Sequence, residues 1–250
     1  MIRGLYTSAM GMMTSMSRMD VITNNMANVN TTGYKRNHVV SHAFSDQFLY
    51  RLNDPALRIF SPMLVGTINP GVFVDDVFTA FHQGSLQLTD APLDIAVMGQ
   101  GFFTVMRDGE ELFTRDGTFT MANGMLMTSD GGLVQGLGGN INLPHGTIII
   151  DENGRITVNG EYIETFRMTT FTDLHSLRQL EDNYFRVSED SVAIPFVGSL
   201  HQGFLEMSNV NIVEEMVQMI TLSRAFDTNS RMVEMQDGTL QHAVNSIARR

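Results

Sequence analysis

Apolar residues recur at both ends of the chain at alternating intervals of four and three. Near the N-terminus Leu5, Ala9, Met12, Met16, Met19, Thr23 and Met26 fall on one stripe, the spacing of a helix packed against other helices. Asn30-Thr31-Thr32-Gly33 then supplies helix-stopping chemistry, so the pattern predicts a first helix closed by Gly33 in a left-handed conformation. Towards the C-terminus the alternation returns in Met219, Leu222, Phe226, Asn229, Val233, Gln236, Leu240, Ala243 and Ile247. Asn211 and Glu214 precede it at the spacing of an N-cap and its N3 partner. A helix from about 211 to 248 would be ~55 Å long. Gly238 is its one interior glycine, and local bending is expected there.

The middle of the chain has a different period. Asp108-Gly109, Asp116-Gly117, Asn123-Gly124, Asp130-Gly131, Asn153-Gly154 and Asn159-Gly160 punctuate short apolar or alternating runs such as Phe102-Phe103-Thr104-Val105. Asn-Gly and Asp-Gly suit the positive φ angles of tight hairpins, which predicts an antiparallel β domain. All six prolines, Pro55 and Pro62 among them, lie in this interior, leaving both ends free to be long helices. The fold class is therefore α+β: N- and C-terminal helices pair as a coiled-coil-like core, with an all-β antiparallel domain inserted between them. The expected boundaries are an N-terminal helix over 1–36, an extended connection over 37–73, the β domain over 74–203 and a C-terminal helix over 204–250.

Charge follows the same division. Residues 1–36 hold four basic groups and one acidic, 204–250 four and six, and 37–203 eight and twenty, within a formal net charge of -11 over 250 residues. The two ends are opposite in sign, and the β domain presents an acidic face. So acidic a chain is a poor ligand for nucleic acid or an anionic membrane surface, since both attract through basic residues. No stretch approaches the ~20 apolar residues of a membrane span, so no membrane insertion is expected. Cysteine is absent, which removes disulfides, thiolate metal sites and thiol nucleophiles. Twelve of the 19 methionines fall in the two terminal segments, where an unbranched side chain adapts to imperfect helix contacts. Such a stripe fits an ordinary helical core as well as an assembly seam.

Three segments carry a resemblance. Asp20 to Arg36, DVITNNMANVNTTGYKR, preceded by Ser8-Ala9-Met10-Gly11-Met12, is similar to the N-terminal signature of the bacterial flagellar rod and hook axial proteins. Pro92 to Val105, PLDIAVMGQGFFTV, followed by Thr114-Arg115-Asp116-Gly117, resembles the start of that family's β domain. Leu205 to Gln236 resembles its C-terminal helix signature. The departures are Ser223 where Gln is usual, Phe226 for Tyr, Met98 for an acidic residue, and the helical Gly238. A length of 250 residues with one β module is most like the distal rod type or its close rod paralogue.

The resemblance implies a structural subunit of the basal-body rod, polymerising with itself into a helical tube that transmits torque from motor to hook. It implies adjacent rod and hook proteins as partners, passage through the flagellar type III export apparatus without a cleaved signal peptide, and ring proteins around the rod. The place would be the rod within the cell envelope. A short hook subunit is the nearest alternative, and a soluble module that binds or processes peptidoglycan a more distant one. The expected assembly interface is Leu5, Met12, Met16, Met19, Asn24, Asn25, Met26 and Asn28 on the first helix with Met219, Leu222, Phe226, Asn229, Val233 and Leu240 on the last. For Asn24, Asn25, Asn28 and Asn30 two roles stay open: local capping at the helix end, or hydrogen bonds to a neighbouring subunit.

Chemistry is expected to be absent. Gly99-x-Gly101 lacks a third glycine, and Lys35, the only lysine, follows no phosphate-binding loop, so no nucleotide cofactor is expected. His38 and His42 have ligand spacing without a completing carboxylate pattern, so no metal is expected. Asp75-Asp76 and Asp151-Glu152 read as solvated turn or strand groups rather than an acid-base pair.

Overall fold

The computed structural model describes residues 2–51, 63–180, 183–187 and 191–248. Pro55, Pro62 and the part of the expected connection between 52 and 62 lie outside them, as does the side chain of Ile247. The chain divides into two compact units, one of residues 1–24, 38–78 and 213–250, the other of 25–37 and 79–212.

In the first unit α1 (Ile2–Ala27) pairs with α2 (Ile212–Ala248). The helices run antiparallel: a side chain on Gly4 would collide with Gln236, and a Cβ on Gly11 would lie 2.9 Å from Asn229 Nδ2. Ser8 and Ser15 continue this face of α1 and are buried. The closest approach therefore uses a row of small residues, with the predicted methionine stripe beside it. The second helix begins at Ile212, directly after Asn211, carries Glu214 in its first turn and continues through Gly238.

The segment expected as a plain extended connection forms strands β1 (Asn37–Ala43), β2 (Gln47–Arg51) and β3 (Met63–Ile68), and it enters β4 (Val72–Thr79). β1 pairs with β4, and β2 with β3 in an antiparallel ladder from Gln47↔Ile68 to Arg51↔Met63. Val39-Val40, Phe48-Leu49-Tyr50 and Leu64-Val65 are strand-forming runs, and Asn69-Pro70-Gly71 turns the chain from β3 into β4. Thr7 and Thr14 on α1 donate to the Pro70 and Val72 carbonyls at 3.3 Å, which fastens this turn to the helix.

The second unit is built on an antiparallel sheet around β7 (Phe102–Arg107), after the short strands β5 (Leu86–Leu88) and β6 (Ile95–Gly99). β7 pairs with β8 (Glu110–Thr114) through a turn in which Asp108 and Gly109 have φ of 53° and 83°. Asn123-Gly124, joining 119–122 to 125–128, and Asn159-Gly160, joining 155–158 to 161–165, show the same doubly positive pair. Those are three of the six turns the sequence predicted; of the other three, Gly131 and Gly154 have positive φ without the residue before them, and neither Asp116 nor Gly117 has it. Successive residues of a strand face opposite ways, so Phe102 and Phe103 feed two cores. Phe103 meets Phe119 and Phe166 edge-on at 4.9 and 5.6 Å, while Phe102 lies 5.5 Å from Phe185 and 6.1 Å from Phe171.

Candidate assembly site and a buried ion cluster

The first helix ends at Ala27, six residues before the glycine expected to close it. Asn28 accepts from the Thr31 hydroxyl at 3.1 Å, and Thr31 N–H donates to the Asn28 carbonyl at 3.2 Å, a local arrangement that competes with the helix. Asn25 is fully buried: its Nδ2 donates to the Asn37 carbonyl at 2.7 Å, and its Oδ1 accepts from Tyr34 OH and Asn37 N–H. Asn28 thus makes a contact within its own turn, and Asn25 ties the end of the helix to Tyr34 and Asn37. Asn24 and Asn30 are exposed.

Gly33 does have a positive φ, 67°, and close approach adds a second demand for glycine there. A Cβ would stand 2.5 Å from Asp116 N and 2.8 Å from the Arg115 carbonyl oxygen, while Gly33 N–H donates to the Glu206 carbonyl at 2.8 Å. This backbone contact delivers Lys35 into the interior. Its Nζ sits 2.6 Å from Glu206 Oε1 and donates to the His82 carbonyl at 2.9 Å. Arg115 Nη1 lies 3.2 Å from Glu206 Oε2, its Nη2 donates to the Gly99 carbonyl at 2.6 Å, and the guanidinium covers the Phe102 ring. Gly84 N–H adds a further donor to Glu206 Oε1 at 2.9 Å. Lys35, Arg115 and Glu206 side chains are 0, 2 and 0% exposed, so the cluster has no solvent to screen it.

Desolvation pushes the pKa of Lys35 down, with Arg115 acting in the same sense and Glu206 against both. Burial likewise lowers Arg115, again opposed by Glu206. One carboxylate thus holds two buried cations, each from a different one of the three segments that carry the family resemblance. The residue pattern alone does not reveal this cluster. Lys35 and Glu206 are 171 residues apart, and no periodicity links them. Their one signal is that all three residues lie inside those segments.

Beside the cluster is a small polar cleft lined by Thr31, Thr114, Asp116, Asp130 and Tyr184. Its acids are already engaged: Asp116 accepts from the Thr32 hydroxyl at 2.7 Å, and Asp130 pairs with Arg107 at 2.8 Å. Burial raises Asp116 against the pull of those hydrogen bonds, and it also raises Tyr184. His38 and His42 lie on β1, His42 beside Asp75 at 3.4 Å and exposed. Asp151 accepts from Asn153 and Arg155 N–H within its own turn. Among the described residues no group of three or more His, Asp or Glu side chains could hold a metal ion.

On α2 the half-buried positions include Met219, Leu222, Phe226, Asn229, Val233, Gln236, Leu240 and Ala243, a single face. On α1 Leu5, Met12, Met19 and Met26 are half-buried, whereas Met13 and Met16 are 62% and 53% exposed. A second apolar row on α2, Val213, Met216, Val217 and Ile220, is exposed away from the first, with Val217 at 58% and Ile220 at 54%.

Comparison with known proteins matches the same three regions. A family of flagella basal body rod proteins matches residues 5–35, the flagellar hook protein FlgE/F/G D1 domain matches 96–158, and the flagellar basal body rod FlgEFG protein C-terminal region matches 201–246. The chain is 34% identical to the flagellar basal-body rod protein FlgG of Borreliella burgdorferi, over 98% of each chain. It is 31% identical to FlgG of Bacillus subtilis over 98% of this chain and 99% of that one. It is also 25% identical to the flagellar hook-basal body complex protein FlhO of Bacillus subtilis, over the full length of both.

Proposed function

Since the chain belongs to the flagellar basal-body rod protein family, we propose that it is a structural subunit of the rod, of the distal type. Copies polymerise into a helical tube that carries torque to the hook. The terminal helices supply the polymer contacts and the β unit supplies lateral ones. The observation that carries this reading is the apolar surface that the α1–α2 pair leaves in solvent, Met13, Met16, Val217 and Ile220 included. Ordinary soluble proteins rarely leave large contiguous apolar patches uncovered, and a polymer covers them. The predicted interface residues on both helices belong to this proposal. Asn25 serves it indirectly, through the turn it holds.

Adjacent rod and hook proteins, the export apparatus and the ring proteins around the rod are the proposed partners, and the rod in the cell envelope the proposed location. Long helices with polar interruptions suit passage as an unpaired chain and pairing on arrival. No catalysis is assigned, because Asp75, Asp76 and Glu152 are exposed groups on a strand and a turn. Electron micrographs of basal bodies from a strain lacking the protein test the reading. The expected result is a rod that ends short of the hook; complete rods bearing hooks would overturn it.

A further inference from the structure

The last helix repeats a short pattern. Met216-Val217-Gln218-Met219, followed by Ser223, returns sixteen residues later as Met232-Val233-Glu234-Met235, followed by Thr239. The rows Met216, Met219, Ser223 and Met232, Met235, Thr239 share the spacing i, i+3, i+7, and neither holds a charge. Met216, Met232 and Met235 are 45, 42 and 58% exposed, Ser223 and Thr239 are exposed, and Met219 is half-buried. At about 100° per residue, sixteen residues set the rows about 160° apart around the helix. They therefore lie on its two flanks, one to either side of the Asn229 and Gln236 that meet α1.

Copies related by rotation about and shift along one axis keep α2 parallel to α2 when the helix runs along that axis, and each contact between them joins two different surfaces. Flanks that lie nearly opposite one another let such helices stand side by side in a gently curved wall. A shift of sixteen residues, about 24 Å at about 1.5 Å per residue, sets Met232 against Met216, Met235 against Met219 and Thr239 against Ser223. The same shift brings His242 of one copy beside Asp227 of the next, so that an imidazole N–H can donate to a carboxylate. Asp227 and His242 are exposed, and neither forms a salt bridge among the described residues.

We infer that the Met232–Met235–Thr239 flank of one copy packs on the Met216–Met219–Ser223 flank of a second copy, with the helices parallel and displaced by sixteen residues. This rests on the rod reading above and adds to it the face, the direction and the displacement of one contact. Because the two flanks differ, each copy that docks offers the site for the next, and the contact propagates instead of closing into a dimer. Methionine suits such a joint, since its unbranched thioether adapts to an imperfect fit.

The absence of cysteine gives a clean background for the test. Met216→Cys and Met232→Cys are carried together on one chain, where about 24 Å of helix separates them, so a disulfide between the two positions must join two copies. Mild oxidation of purified basal bodies should give a ladder of linked dimers, trimers and longer chains from the double variant, and no ladder from either single variant. Rods of the double variant that stay unlinked, or single variants that link into equal ladders, would overturn the contact. A second measurement does not depend on the cysteine chains assembling. His242→Asp sets two carboxylates together across the contact and should lower the yield of complete rods at least threefold, and adding Asp227→Lys should restore most of it. A wild-type yield from His242→Asp, or a double exchange no better than the single, would overturn the displacement. Basal bodies that contain the wild-type chain while these tests fail leave the rod reading intact; basal bodies without the chain remove both.

Discussion

Glu206 is the single anion between two buried cations, so the three members of the cluster are not equivalent. Removing one partner of a buried ion pair typically costs about 3–5 kcal/mol, because the remaining charge is stranded. Glu206→Gln strands two cations and should lower the stability of the β unit by about that amount. Lys35→Met leaves Arg115 and Glu206 as a neutral pair, and the His82 carbonyl keeps Asn209 Nδ2 as a donor at 3.0 Å. Its loss should be less than half as large; urea denaturation of the purified variants, followed by near-UV circular dichroism, reads both. Equal losses would show that the carboxylate is not the centre of the cluster. A similar ranking applies at Gly33. A β-branched residue is strained at its φ of 67°, which alone would favour Gly33→Asn over Gly33→Val. Any Cβ there also meets Asp116 N at 2.5 Å. Both variants should therefore melt well below the wild type in a thermal scan, and a wild-type transition for Gly33→Asn would remove the close-approach argument.

Elements differ in how openly their residues announce them. The Asn123-Gly124 and Asn159-Gly160 hairpins follow from local turn chemistry, and they form where two adjacent residues have to take positive φ. The α2 face from Met219 to Leu240 is legible because its signal is apolar and periodic. The face of α1 turned to α2 is not, since Gly4, Ser8, Gly11 and Ser15 act by being small and add nothing to a hydrophobic stripe. The strands within 37–73 read as a connection because each run is short and depends on its partner strand. The ion cluster is hidden for another reason: its members come together only once the β unit has closed. Gly238 allows a test at this scale. It lies inside α2, and beyond the helix's own backbone nothing stands within 4 Å of where an alanine methyl would sit, so Gly238→Ala should stabilise the helix by about 0.5–1 kcal/mol. The helical circular dichroism signal at 222 nm should strengthen; a weaker signal would mean that the helix needs a bend at that point.

At the scale of the whole molecule, the two units do not follow the order of the sequence segments. The family's N-terminal and C-terminal segments both contribute to the β unit, which includes residues 25–37 and extends to 212. Gly33, Lys35 and Arg36 are tied there to Glu206 and Asn209, Arg36 N–H donating to Asn209 Oδ1 at 2.7 Å. Hydrogen exchange on the purified monomer should therefore find protected amides in 33–36 and 203–207, as in the central strands, and faster exchange across 2–24 and 213–248. Uniform exchange over 2–37 would place the boundary at the end of the signature instead. The same division predicts how a seam variant fails. Phe226 is half-buried on α2, and a carboxylate forced into an apolar contact costs several kcal/mol, more than a weak subunit contact can absorb. Phe226→Asp should abolish completed rods in basal-body preparations, while Phe226→Leu keeps the face apolar and should assemble. The thermal transition of the β unit should be the same in both variants, because Phe226 lies in the other unit. Rods built from Phe226→Asp would remove α2's half-buried face from the assembly, and a lowered β-unit transition would show that the two units fold as one.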